Sequence, residues 1–240
     1  MIGVVCFLWP PKYGPEHVNT LRNALDDRLP VAHRLICVTK DATGLDRRIQ
    51  VVAPDTALPD SKRFRKLMLF RRDAAKVFGA DRLLGIDLDV TPVGDLGPLV
   101  DREEDFVIWR DPLFGREGYA PSHRYNSSLI LMDAGARPQV YETFDAASSG
   151  DAIRSSGFVG SDQAFIGLTL GPDEAVWTQE DGVLGFKHDL GWHPWSGQFG
   201  RDWPEHARLI VSHGLPKPWG LTADHPLRIA YERHTEQVAA

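Results

Sequence analysis

Residues 83–92 read "LLGIDLDVTP". An apolar run stops at two aspartates one residue apart, Asp87 and Asp89, with Thr91 close behind. A strand that ends in carboxylates puts them where open α/β sheets bind ligands, outside the carboxyl ends of the strands. In an extended segment the side chains at i and i+2 point the same way. Both carboxylates can then reach one cation, with Leu88 turned toward the core. Carboxylates suit hard cations such as Mg²⁺ or Mn²⁺, which keep positions open for phosphate oxygens. Two other readings use the same letters. One is a D-x-D-x-T loop in which Asp87 attacks phosphorus and Asp89 acts as acid and base. The other is a strand end carrying two solvated acids.

The flanking sequence sets the fold class. Residues 2–8 form a short apolar run that stops at Trp9-Pro10-Pro11, as a buried parallel strand does. Val18, Leu21 and Leu25 recur at helical spacing within 16–28. "HRLICVT" (33–39) and "RIQVVA" (48–53) read as strands. In "DSKRFRKLMLFRRDAAKVFG" (60–79), Phe64, Leu67, Met68, Ala74, Ala75 and Phe78 line one helical face. Gly79 stands at the C-cap position of that helix. "DRLLGIDLD" follows as a fourth strand. Strand, helix, strand, strand, helix, strand predicts an α/β fold with a mostly parallel sheet and helices on both sides. Further strands are expected at 105–110, 127–133 and 207–213, and helices at about 137–147 and 161–170. The Gly-, Pro- and Trp-rich stretch 172–205 is expected to lack long regular elements.

The bulk numbers agree with a globular enzyme-sized chain. It has 240 residues, 42% hydrophobic and 25% charged, enough to bury a core without staples. A net charge of −6 argues against a general nucleic-acid binder. Cys6 and Cys37 both lie inside apolar runs and read as buried thiols in a reducing compartment, which predicts a cytoplasmic location. "MIGVVCFLWPPK" lacks a basic n-region and a small-residue cleavage site, and reads as a first strand. No apolar run reaches transmembrane length.

The phosphohydrolase reading resembles the haloacid-dehalogenase type, which needs a downstream acidic pair in a G-D-x-x-x-D pattern. The chain offers "GDAIRS" (150–155), with Ser155 where the second acid should stand. The metal-clamp reading finds more support. The block 64–96, with Lys66-Leu67, Asp87, Asp89 and Asp95-Leu96, resembles the stretch leading into D-x-D in glycosyltransferase family 8, the family of glycogenin and bacterial lipopolysaccharide galactosyltransferases. "YNSSLILMDAG" (125–135), "GSDQAFIGLTL" (160–170) and "SHGLPKPWG" (212–220) are similar to three later family motifs, in the family's order. Ser128 stands where the family usually has Gly, and His213 directly precedes Gly214 where the eukaryotic pattern has two residues between. The first block, "LWPPKYGPEHV" (8–18), matches loosely through Tyr13.

The resemblance implies a GT-A-type nucleotide-sugar-binding fold, a single domain with a nucleotide- and metal-binding part at about 1–135 and a sugar- and acceptor-binding part at about 136–240. It implies a hexosyltransferase using a UDP-sugar donor, with retention at the anomeric carbon. The acceptor would be a carbohydrate, a lipid-linked group or a protein. Asp87 and Asp89, with His213 as third ligand, would hold the metal, and an imidazole ligand favours Mn²⁺ over Mg²⁺. Lys66 would meet a donor phosphate; the rest of its basic run reads as a solvated helix face. Lys217 would neutralise the departing diphosphate, with Gly214 letting the backbone come close. Asp162 would bind donor-sugar hydroxyls and Gln163 would lie near the anomeric carbon, although an acid at a helix start also serves the dipole and Ser161 can cap instead. Asn126 is either a turn residue before a strand or a sugar contact. Tyr13 would meet uracil, or else is a partly exposed loop residue. Trp192 and Trp195 are the candidates for an acceptor platform. A non-catalytic nucleotide-sugar or glycan-binding protein on the same scaffold remains the alternative, with the phosphohydrolase behind it.

Overall fold

The computed structural model describes residues 1–59, 64–116, 124–157, 161–191 and 202–235. Its strands are β1 (Ile2–Phe7), β2 (His33–Val38), β3 (Gln50–Val52), β4 (Arg82–Ile86), β5 (Val90–Pro92), β6 (Phe106–Arg110), β7 (Tyr125–Asp133), β8 (Ala175–Trp177), β9 (Val183–Gly185) and β10 (Leu209–Val211). Its α-helices are α1 (Pro15–Arg28), α2 (Ala74–Phe78), α3 (Gly97–Val100), α4 (Gln139–Glu142), α5 (Ser149–Ser155), α6 (Asp162–Leu170) and α7 (Pro226–Glu232). Among the described residues, seven strands form one sheet in the order β3-β2-β1-β4-β7-β6-β8, and β5-β10-β9 form a second.

The predicted α/β class holds. β3, β2, β1 and β4 run parallel, while β7 is antiparallel to both β4 and β6. Val4, Val5 and Cys6 of β1 are fully buried, as unbroken apolar runs are when a strand is covered on both faces. Cys6 and Cys37 face each other in the β1–β2 register and are free, buried thiols. Their mutual hydrogen bond, then burial, pushes the Cys6 thiol up. Proline opens α1 at its first turn and Arg28 closes it, both matching what helix ends prefer. No described helix is long and apolar enough to cross a membrane.

The structure differs from the sequence reading in four places. The helix expected over 60–79 is two pieces: a 3-10 helix, Phe64–Phe70, and α2, which closes on Gly79 in the left-handed conformation. Residues 60–63 of that span lie outside the described residues. The break comes at Arg71, whose guanidinium pairs with Asp55 and donates to Asp73 at 2.7 Å, turning the chain before it winds again. β4 stops at Ile86, so Asp87-Leu88-Asp89 forms a turn into β5 rather than the end of an extended strand. Asn126 lies within β7 and is buried, not in a turn before it. The helix expected at about 137–147 is the short α4, followed by α5. Trp192 and Trp195 lie outside the described residues.

The Arg71 turn carries a stability prediction. Asp55 accepts from the Tyr141 hydroxyl at 2.7 Å, from the Ala57 N–H at 2.9 Å and from Arg71. Burial alone would raise its pKa, but these three donors outweigh it and hold the carboxyl below its usual range. A lowered pKa means stability that is present above the ordinary carboxylate pKa and lost as pH falls through the folded value. Asp55→Asn is expected to cost about 1–3 kcal/mol at neutral pH. The difference from the parent, read by urea denaturation, should shrink as the pH is lowered into the acid range.

Candidate nucleotide-sugar site

The D-x-D turn is held from both sides. Asp87 N–H donates to Ser128 O of β7 at 3.1 Å, and Ser212 N–H, just past β10, donates to Asp89 O at 2.9 Å. Leu88 is 3% exposed and anchors the turn in the core, as expected. Fixed in this way, the two carboxylates point to two lysines from distant parts of the chain.

Asp87 pairs with Lys66 at 2.6 Å. The Lys66 ammonium also donates to Ser127 O at 3.2 Å and lies 3.9 Å from Asp162, whose carboxylate accepts from Ser127 Oγ at 2.7 Å. Burial on its own would lower the Lys66 pKa, but Asp87, Asp162 and Asp89 outweigh it and raise it. Asp162 opens α6, yet Ser161 is the cap, accepting from Ala164 N–H at 3.3 Å. Asp162 is thereby left to face Ser127 and Lys66.

Asp89 pairs with Lys217, which also donates to Ser212 O at 2.7 Å. The Tyr13 hydroxyl donates to Asp89 Oδ2 at 2.9 Å. Tyr13 is only 4% exposed, so it is not the partly exposed loop residue of the sequence reading. Burial, then the charges of Asp89 and Asp87, push its phenol up. Lys12 stands 4.8 Å from the centre of the Tyr13 ring.

Asn126 and Gln163 converge on Asp111, a residue that the motifs did not single out. Asp111 Oδ2 accepts from Asn126 Nδ2 at 3.3 Å and from Gln163 Nε2 at 3.4 Å, while Oδ1 accepts from Leu113 N–H at 2.9 Å. The signal was present: Asp111 follows the apolar run of β6 as Asp87 follows that of β4. A cavity of about 480 Å³ opens beside it, lined by Trp109, Asp111, Pro112, Arg116, Gln179 and Asp189 among others. Asp189 fixes its rim by accepting from Arg116 at 2.8 Å, Gln179 at 2.6 Å and Gly185 N–H at 2.6 Å.

His213 packs on Trp109, with ring centres 6.0 Å apart, and stacks on His188 at 5.0 Å. Burial, then the positive charges of His188, Lys187 and Lys217, push its pKa down to about 4. Its Nδ1 is buried and has no hydrogen-bond partner among the described residues. Among those residues, no three His, Cys, Asp or Glu side chains gather as a metal-binding group. Asp87 and Asp89 instead each contact an ammonium. As a donor set the three expected ligands still suit a divalent cation: two carboxylates and a neutral imidazole with an unpartnered nitrogen. Gly214 has φ +72° and meets Lys187, whose Nζ would lie 2.8 Å from any Cβ placed there.

No protein-family model matches the chain, and no curated protein matches it in sequence. Solved structures do match in fold. The galactosyltransferase LgtC, solved in complex with donor and acceptor sugar analogues, superposes with a TM-score of 0.63 at 14% identity, over 100% of this chain and 97% of its own. The glycosyltransferase GlyE of Streptococcus pneumoniae TIGR4 superposes with a TM-score of 0.64 at 13% identity, over 98% of this chain and 60% of its own. The chain thus has the GT-A-type fold, a mostly parallel sheet flanked by helices, that it shares with these two glycosyltransferases.

Proposed function

We propose that this protein is a metal-dependent glycosyltransferase that moves a hexose from a UDP-sugar to a carbohydrate, lipid-linked or protein acceptor, with retention at the anomeric carbon. The observation that carries the reading is the D-x-D turn at the end of β4, with each carboxylate against its own lysine, on a GT-A-type fold. Asp87, Asp89 and His213 would hold Mn²⁺ (or Mg²⁺), as two carboxylates and an imidazole suit a divalent cation. Such an ion supplies Lewis-acid stabilisation of the charge that develops on the diphosphate.

The chain's own residues account for the rest. Lys66 and Lys217 would add positive charge where the diphosphate departs. Asp162 binds sugar hydroxyls, and Lys66 and Ser127 hold its carboxylate in place. Asp111 orients the amides of Asn126 and Gln163, so the sugar meets two groups already aimed by a third. Tyr13 ties the β1–α1 loop, where the base would sit, to Asp89. The acceptor would enter through the cavity beside Asp111. The parts at about 1–135 and 136–240 work as one domain here, the first giving Tyr13, Lys66, Asp87, Asp89, Asp111 and Asn126, and the second Asp162, Gln163, His213, Gly214 and Lys217. Free Cys6 and Cys37 support a reducing, cytoplasmic setting.

The test is a calorimetric screen of UDP-hexoses with and without Mn²⁺. At least one should bind in a metal-dependent way. If no UDP-sugar binds under either condition, the proposal is wrong.

A further inference from the structure

We propose that Lys12 binds the nucleoside-linked phosphate of the donor, as the charged side chain that the β1–α1 loop presents to the site. The inference rests on the donor reading above and extends it to a residue that the resemblance did not single out. The loop reads "WPPKYGP" (9–15). Its prolines, Pro10, Pro11 and Pro15, each fix the backbone φ, so the loop is held in shape before a ligand arrives. Tyr13 turns inward: it is 4% exposed, and its hydroxyl donates to Asp89 Oδ2 at 2.9 Å. His17 and Trp219 stand edge-on to the Tyr13 ring, with ring centres 5.6 and 6.2 Å away. Lys12 lies over the same ring, with Nζ 4.8 Å from its centre, and is exposed. Buried to this degree, Tyr13 has little surface to offer a ligand, and Lys12 is what the loop shows in its place.

Two contacts set where the ammonium lies. Lys12 rests on the Tyr13 ring and Tyr13 on Asp89, so the ammonium stands one side chain away from the D-x-D turn. Lys66 is paired with Asp87 and Lys217 with Asp89, whereas Lys12 has no carboxylate partner among the described residues. The face of a tyrosine is a weaker counterpart for a cation than an anion is. Partial burial lowers the Lys12 pKa, against the pull of Asp89. An anion beside Lys12 would favour its charged form. An ammonium offers three donors and no acceptor, and its strongest hydrogen bonds go to charged oxygens such as those of phosphate. The loop lies where the base would sit, so the phosphate within its reach is the one that carries the nucleoside. The ligand class is a nucleoside monophosphate or diphosphate, or an ester of the latter.

Calorimetry of UMP and of UDP, both with Mn²⁺, tests this on the parent, Lys12→Gln and Lys12→Arg. Both ligands carry the phosphate in question. Loss of one charge-assisted contact predicts that Lys12→Gln weakens each by about tenfold or more, while Lys12→Arg stays within about threefold. Both variants should unfold at the parent's temperature, because Lys12 is exposed. Parent-like binding by Lys12→Gln, equal losses in the Gln and Arg variants, or a loss confined to UDP overturns the proposal and leaves the donor reading standing. If the parent binds UMP through Lys12 but no UDP-sugar, the phosphate site stands and the donor reading falls. If the parent binds no uridine nucleotide, both fall.

Discussion

Asp89→Asn is expected to lower the turnover of the UDP-sugar donor by about a thousandfold or more, and to remove its dependence on Mn²⁺. The substitution keeps the shape of the side chain and removes its charge. In the structure that charge faces Lys217 and accepts from Tyr13 at 2.9 Å, and Asp89 is 5% exposed. An amide oxygen can serve one of these donors well but cannot neutralise the ammonium. In the reaction Asp89 would help hold the ion that offsets the charge developing on the diphosphate, and losing one such electrostatic stabiliser costs about 3–4 kcal/mol on the barrier. A loss of about 4 kcal/mol on the reaction barrier is a factor near a thousand. Lys217, left without its counter-charge, also loses the anchor that keeps it beside Ser212. The measurement is kcat/KM for donor hydrolysis across a Mn²⁺ titration. A variant within tenfold of the parent, with the same metal response, would remove Asp89 from the metal and phosphate machinery.

Lys66→Met should destabilise the protein by about 3–5 kcal/mol, the largest stability effect expected of a single substitution here. Lys66 is 7% exposed and its ammonium lies against Asp87, Asp162 and Ser127. Methionine fills much of the same space but leaves Asp87 and Asp162 without the cation they share. Asp162 keeps its bond from Ser127 Oγ at 2.7 Å. The Lys66 pKa is raised in the folded state, so its contribution is full below the ordinary lysine pKa and is lost as pH rises through the higher folded value. The deficit of Lys66→Met should therefore be complete at neutral pH and shrink only in strong alkali. Adding Asp162→Asn to Lys66→Met should recover part of the loss, because it removes one of the stranded charges. Urea denaturation of the two single variants and the double variant measures that coupling. Strict additivity would show that Lys66 and Asp162 act independently.

Much of the fold was legible because its central strands are written as apolar runs. β1, β2, β4 and β6 each end at a polar or turn residue, and buried parallel strands need no other signal. The short elements were not legible. β5 and β9 are three-residue strands whose pairing with β10 is set by tertiary contact, not by periodicity. The 60–79 helix kept its apolar spacing on paper, but Arg71 reaches Asp55, and no helical pattern encodes a contact sixteen residues back. In the site, Lys66 and Lys217 were found because their motifs travel with D-x-D. The burial of Tyr13 could not be read, because its partner Asp89 lies 76 residues away. Asp111 could have been found as a carboxylate at a strand end, although its role depends on Gln163, 52 residues further on.

The most direct test of the whole reading follows phosphorus by NMR while the protein turns over a UDP-hexose with Mn²⁺. Glycosyl transfer, to an acceptor or slowly to water, breaks the bond between the sugar and the diphosphate and leaves UDP intact. The appearance of UDP together with the freed or transferred hexose is the expected result. Inorganic phosphate, or UMP with a sugar phosphate, would mean that a phosphoryl bond was broken instead, and Asp87 and Asp89 would have to be read as phosphohydrolase residues.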